Sequence, residues 1–209
     1  MREVSASFLG TSDVKKTIAR LNYSNCDYIH FDVMDGRFVE SKFLTVKELT
    51  DLIKLSQKKI DVHLMVNDPL KYIEKLVFYN ISYLTIHYEI KDCLKYIDMI
   101  KASGIKVGIS LKPETAIDKV FPLLDKLDLV LIMGVEPGKS GQKFMKETSK
   151  RIDILKEEIE RRKLKTKVSV DGGINEEILN KVFNADILVS SSYILKDLDR
   201  INILKGIND

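Results

Sequence analysis

Tryptophan is absent from this 209-residue sequence, cysteine occurs twice, histidine three times and proline four times. Cys26 and Cys93 form no Cys-x-x-Cys pair, which excludes a thiolate metal site and leaves two inert thiols in a reducing compartment as the expectation. Long apolar runs are missing too, so no segment reads as a transmembrane helix. Nor is there a basic-then-apolar leader, since Met1 runs straight into the strand-like Val4-Ser5-Ala6-Ser7-Phe8-Leu9. A cytoplasmic protein is expected, neither secreted nor membrane-bound. Charge of one sign is lacking as well: 34 basic against 31 acidic residues give +3, too even to mark a nucleic-acid or membrane surface. No linker, composition break or low-complexity tract divides the chain. Residues 1–209 are therefore read as one domain, large enough to bury a core without staples.

What is there is an alternation of short apolar runs with longer amphipathic ones. Strands are predicted near 3–9, 27–33, 60–66, 82–87, 105–111, 127–133, 166–171 and 186–190. Helices are predicted near 13–22, 45–57, 69–79, 91–102, 115–120, 145–162, 175–182 and 198–207. Asn67-Asp68-Pro69 reads as a helix start, Ser103-Gly104 as a helix stop and Asp171-Gly172-Gly173 as a tight turn after a strand. Eight strands alternating with eight helices in about 200 residues predict an α/β protein built as a single (β/α)8 TIM barrel, with an open doubly wound sheet as the structural alternative.

Strand periodicity then singles out residues. Side chains two apart share a face. Tyr28, His30 and Asp32 fall on one face, opposite Ile29, Phe31 and Val33. Asp61, His63 and Met65 alternate with Val62 and Leu64, Tyr83, Thr85 and His87 with Leu84 and Ile86, and Ser169 and Asp171 with Val168 and Val170. A buried parallel strand is ordinarily apolar on both faces. A repeated polar face points to a reactive interior at the strand ends, where all strands of a barrel converge on one mouth. Taken alone, each histidine could be a hydrogen-bonded core residue and each aspartate a cap. Together, His30, Asp32, His63 and Asp171 form a nitrogen and oxygen set suited to a divalent metal. His87 lacks a His-x-Asp or Asp-x-His context and is expected to line or back the pocket without ligating. The glycine-bearing segment 134–142 reads as a loop able to close as a lid. Gly172-Gly173 and Ser190-Ser191-Ser192 fall where barrels hold phosphate, after the seventh and eighth strands.

Four motifs occur in order: His30-Phe31-Asp32-Val33-Met34-Asp35-Gly36, Asp61-Val62-His63-Leu64-Met65-Val66, Pro137-Gly138 with Gly141-Gln142-Lys143-Phe144, and Val170-Asp171-Gly172-Gly173-Ile174. By these the chain resembles the ribulose-phosphate 3-epimerase family from Ser5 to about Leu195. The resemblance implies an enzyme that interconverts D-ribulose 5-phosphate and D-xylulose 5-phosphate on a (β/α)8 barrel, with one divalent metal per subunit. Zinc is the first expectation, with iron, manganese or cobalt as alternatives. It implies metal ligation by His30, Asp32, His63 and Asp171, and acid–base roles for Asp32 and Asp171. Substrate contacts are implied for Ser7, His63, Gly138, Lys139, Ser140, Gly141, Asp171, Gly172, Gly173, Ser191 and Ser192, with Met34, Met65 and Met133 walling the site. The implied partners are a small-molecule sugar phosphate and further copies of the chain, with no nucleic acid and no membrane.

The chain departs from the family's usual pattern at Ser5-Ala6-Ser7, where Ser-Pro-Ser is common, and at Glu40-Ser41, where Pro-Asn is common. It departs again at Lys139-Ser140, where the lid commonly reads Phe-Gly, and at Ser191-Ser192, where Gly-Ser is usual. Alternatives are an epimerase of D-allulose 6-phosphate, which shares the metal motifs, and a non-catalytic sugar-phosphate-binding barrel. A decarboxylating barrel of the orotidine-phosphate type would need Asp-x-Lys-x-x-Asp where this chain has His-x-Asp-x-Met-Asp.

Overall fold

The computed structural model describes residues 2–207. Eight parallel strands follow one another around a closed barrel: β1 (Glu3–Ser7), β2 (Tyr28–Asp35), β4 (Lys59–Met65), β5 (Ile81–His87), β6 (Lys106–Leu111), β7 (Leu129–Met133), β8 (Lys167–Asp171) and β9 (Ile187–Ser190). β1 pairs with both β2 and β9, which closes the ring and excludes the open sheet. The short β3 (Lys42–Phe43) pairs antiparallel with the end of β2. That pairing carries β2 on to Asp35, two residues beyond the predicted strand end, and so leaves His30 in mid-strand rather than at its end.

The outer layer holds α1 (Val14–Asn22), α2 (Val46–Ile53), α3 (Leu70–Leu76), α4 (Cys93–Ala102), α5 (Glu147–Arg161) and α6 (Arg200–Lys205). Local signals set their ends. Thr45 and Glu48 form a reciprocal capping box at the start of α2, and Gly104, at φ +81°, follows the C-cap of α4. Two predicted helices, 115–120 and 175–182, are instead 3-10 segments, Ile117–Lys126 and Glu176–Val182. Pro122 inside the first lacks an N–H and clashes with the preceding turn of an α-helix, so the tighter i→i+3 ladder wins.

The outward strand faces, among them Ile29, Phe31, Val33, Leu64 and Ile86, pack with Ile18, Leu21, Leu49, Ile97, Ile152 and Leu155 of the helices into the main core. The barrel interior is divided. Leu129, Leu131 and Met133 of β7 and Ile187 and Val189 of β9 make an apolar wall, closed below by Tyr28 and Tyr83 with ring centroids 5.7 Å apart. The opposite wall is polar and fully buried: Ser5 and Ser7 of β1, His30 and Asp32 of β2, Asp61 and His63 of β4, Thr85 and His87 of β5. At the bottom, Lys167 pairs with Glu3, which also accepts from the Tyr28 hydroxyl at 3.2 Å. No helix among the described residues is long and apolar enough to cross a membrane.

Candidate metal and acid–base site

Ladder register brings the polar residues level. His30 lies beside Ser7 and Asp61, and Asp32 beside His63. On the far side of the ring Asp171 lies between Met133 and Val189. One carboxylate thus stands in the polar wall and the other in the apolar wall. One ligand atom from each of His30, Asp32, His63 and Asp171 falls within 4.8 Å of the others.

The neighbours decide the protonation of each group. Asp32 Oδ2 accepts the Ser7 hydroxyl at 2.7 Å, and Asp32 Oδ1 lies 3.3 Å from His30 Nε2 and 3.5 Å from His63 Nδ1. Burial opposes ionisation of Asp32, but His30 and then His63 outweigh it and hold the carboxyl well below the usual carboxylate range. Asp171 has no such company. Burial, and then the negative charge of Asp32, push it up to about 7. Two carboxylates in one site are therefore poised in opposite states near neutrality, one ionised and one able to hold a proton.

The imidazoles are oriented from behind. His30 Nδ1 meets Asp61 Oδ2 at 2.7 Å, and Ser5 donates to the same oxygen at 2.8 Å. Burial disfavours charge on His30, yet Asp61 and Asp32 raise it well above the ordinary histidine range. Burial lowers His63, and it lowers His87 to about 4 despite the adjacent Glu89. His30 Nε2 and His63 Nδ1, the two ring nitrogens aimed at Asp32, are fully buried and have no hydrogen-bond partner. Buried nitrogens ordinarily find a partner. Two orphaned ones facing two carboxylates fit a divalent cation held by mixed nitrogen and oxygen donors.

Above this cluster opens a cleft lined by Ser7, Asp32, Met65, Met133, Asp171, Gly172, Gly173, Ser191, Ser192 and the loop Glu136–Gln142. The predicted substrate-contact residues Gly138, Lys139, Ser140 and Gly141 are all in that loop. His63 lies below the cleft without lining it, and Met34 opens onto a neighbouring groove beside Phe43, Leu44 and Tyr72. Gln142 ties the loop together by donating to the Glu136 and Lys139 carbonyls at 2.7 and 2.9 Å. On the floor, Gly172 and Gly173 take φ of +107° and +68°, and a Cβ on Gly173 would strike the Phe144 backbone. Ser191 donates to the Leu9 carbonyl at 2.6 Å, which fixes the last turn to the loop after β1. Lys139, Ser140, Ser191 and Ser192 all have φ outside the left-handed region, so the positions where this chain lacks the family's usual glycine need none.

Periodicity alone assigned no role to Ser5, Asp61 or Glu89. The signal was present: Asp61 and Glu89 stand two residues from His63 and His87, the same spacing as His30 and Asp32.

The sequence model of the Ribulose-phosphate 3 epimerase family matches residues 3–195. The chain is 35% identical over 189 residues to ribulose-phosphate 3-epimerase of Helicobacter pylori, covering 89% of this chain and 87% of that one. It is 33% identical over 214 residues to the protein of that name from Methanocaldococcus jannaschii, with 100% and 91% covered. Among solved structures, phosphoribosyl anthranilate isomerase from Thermococcus kodakaraensis matches with TM-score 0.65 at 14% identity over 99% of this chain and 98% of that one. Tryptophan synthase subunit alpha from Campylobacter jejuni matches with TM-score 0.65 at 18% identity over 99% and 94%. These two likenesses are of fold alone.

Proposed function

The chain belongs to the ribulose-phosphate 3-epimerase family and is an epimerase, and we propose that it interconverts D-ribulose 5-phosphate and D-xylulose 5-phosphate, a step of the pentose phosphate pathway, by proton transfer between Asp32 and Asp171. The observation that carries this reading is the meeting of two carboxylates, Asp32 and Asp171, from opposite walls at one cleft beside His30 and His63. Inversion next to a ketone removes a proton from one face of C3 and returns one to the other. A carboxylate poised to accept and a carboxyl poised to donate do both without a change of site, and they exchange roles in the reverse direction.

His30, Asp32, His63 and Asp171 would hold one divalent cation, zinc in the first instance, with iron, manganese or cobalt also suited to the donors. Such a cation supplies Lewis-acid stabilisation of the charge that develops on the substrate oxygens. Asp61 and Ser5 keep His30 turned toward the site, and Ser7 orients Asp32. The Gly172-Gly173 and Ser191-Ser192 turns receive the phosphate, whose charge backbone N–H groups favour. Met65 and Met133 wall the sugar, Met34 flanks that wall from β2, and the 136–142 loop closes over it to exclude water from the enediolate. The enzyme works in the cytoplasm as a homo-oligomer on this reading.

The direct test is an epimerase assay on D-ribulose 5-phosphate and on D-allulose 6-phosphate, before and after chelation. Turnover of the pentulose phosphate that chelation removes and added cation restores is expected. Turnover insensitive to a chelator that strips the protein of metal, or confined to the hexulose phosphate, contradicts the reading.

A further inference from the structure

His87 and Glu89 lie outside the four-residue cluster, yet their side chains form a continuous run of hydrogen bonds that ends on His63. His63 Nε2 faces His87 Nε2 at 2.9 Å, and His87 Nδ1 faces Glu89 Oε2 at 3.1 Å. The other oxygen, Glu89 Oε1, accepts the Lys112 backbone N–H at 2.8 Å and the Thr115 hydroxyl at 2.5 Å. Strands β4, β5 and the segment after β6 are thereby joined inside the barrel. Phe38 covers the His87 ring with centroids 4.5 Å apart, which opposes rotation of that ring.

The protons along this run can be counted. An ionised carboxylate only accepts, so the hydrogen between Glu89 and His87 sits on His87 Nδ1. A neutral His87 then presents a lone pair at Nε2, and the hydrogen between the two rings must come from His63 Nε2. His63, so protonated, carries a bare lone pair at Nδ1. That is the nitrogen 3.5 Å from Asp32 Oδ1 that has no hydrogen-bond partner. The opposite arrangement would put a proton on Nδ1, where Asp32 Oδ1 at 3.5 Å makes no hydrogen bond, and would leave a buried N–H poorly satisfied.

We propose that His87 and Glu89 are positioning residues that fix His63 in the tautomer whose Nδ1 is free to bind a divalent cation. The inference rests on the reading of His63 as a cation ligand. His30 is oriented by a shorter route, since Asp61 meets its Nδ1 directly and leaves Nε2 facing the site without a partner. The two imidazoles therefore offer opposite ring nitrogens, each selected by what stands behind it.

The test uses the full chain and cobalt(II) as the probe. Nitrogen-15 NMR of the metal-free wild type is expected to place the His63 proton on Nε2. Competition against a chelating dye is expected to show cobalt affinity weakened about 10- to 100-fold in His87→Phe. His87→Gln, which keeps an acceptor facing His63, recovers most of that affinity. Glu89→Gln weakens affinity in the same direction and stands in if His87→Phe does not fold. At saturating cobalt, the KM for D-ribulose 5-phosphate is unchanged in the folded variants, which a general loss of structure would not give. A proton on His63 Nδ1, or wild-type cobalt affinity in both His87→Phe and Glu89→Gln, overturns the inference while leaving the proposed function standing. Failure of the wild type to bind cobalt overturns both.

Discussion

Asp32 and Asp171 are the same residue type made different by register. Asp32 is flanked by Ser7, His30 and His63, whereas Asp171 is set between Met133 and Val189. Replacing either by asparagine removes a proton carrier and little volume. Asp32→Asn and Asp171→Asn are expected to lower kcat by at least about 10²-fold, the scale of a lost general acid or base, with far-UV dichroism unchanged. Near-normal turnover in either contradicts the assignment. The raised value of Asp171 also has a sign in stability. In the metal-free fold it holds its proton up to about 7, above its unfolded value, so the folded state binds the extra proton between roughly pH 4 and 7. That contribution is complete below pH 4 and is lost as pH rises through 7. With chelator present, Asp171→Asn is therefore expected to gain on wild type by roughly 5 °C in melting temperature between pH 5 and pH 8, at about 2–4 °C per kcal/mol for a chain of this size. Parallel melting curves for the two proteins would contradict it. Periodicity put both aspartates on inward faces, because alternation is local. It could not divide their protonation states, which depend on what other strands place beside them.

At the scale of elements, the strands were legible because each has an apolar face against the helices, and the helices because caps and glycines punctuate them. The capping box at Thr45 is one such signal, and Thr45→Ala is expected to cost about 1 kcal/mol in chemical denaturation with kcat unchanged. A change in kcat would tie α2 to the site. The 3-10 segments and β3 were not legible. Pro122 redirects the hydrogen bonding of its segment, and β3 is two residues long, below any periodicity. The β8 turn combines both cases. Its glycines were visible as a turn, but the reason for Gly173 is the Phe144 backbone, which arrives from the lid side of the chain. Gly173→Ala is expected to cost about 1–3 kcal/mol, as left-handed strain does elsewhere, and to raise KM for the sugar phosphate. An unchanged KM would remove this turn from the substrate site.

Across the whole molecule, the closed barrel places an apolar wall opposite a polar one and sets the site where they meet. The polar wall was readable strand by strand. The division of the interior, and the runs behind His30 and His63, required the ring to be closed, since Ser5, Asp61, Glu89 and Thr115 come from four different segments. Cation uptake is expected to displace a proton from this wall, where Asp61 and Asp32 favour a charged His30 in the metal-free fold, so cobalt affinity should rise about tenfold per pH unit for each proton released between pH 6 and 7. A pH-independent affinity would contradict the four-residue site. The proposed reaction is proton exchange at one carbon. In D₂O, with cation present, the protein is predicted to convert D-ribulose 5-phosphate into D-xylulose 5-phosphate carrying deuterium at C3, read by proton NMR, while Asp32→Asn and Asp171→Asn yield no epimer. Epimer that retains its C3 protium, or epimer formed at the wild-type rate by either variant, would contradict it.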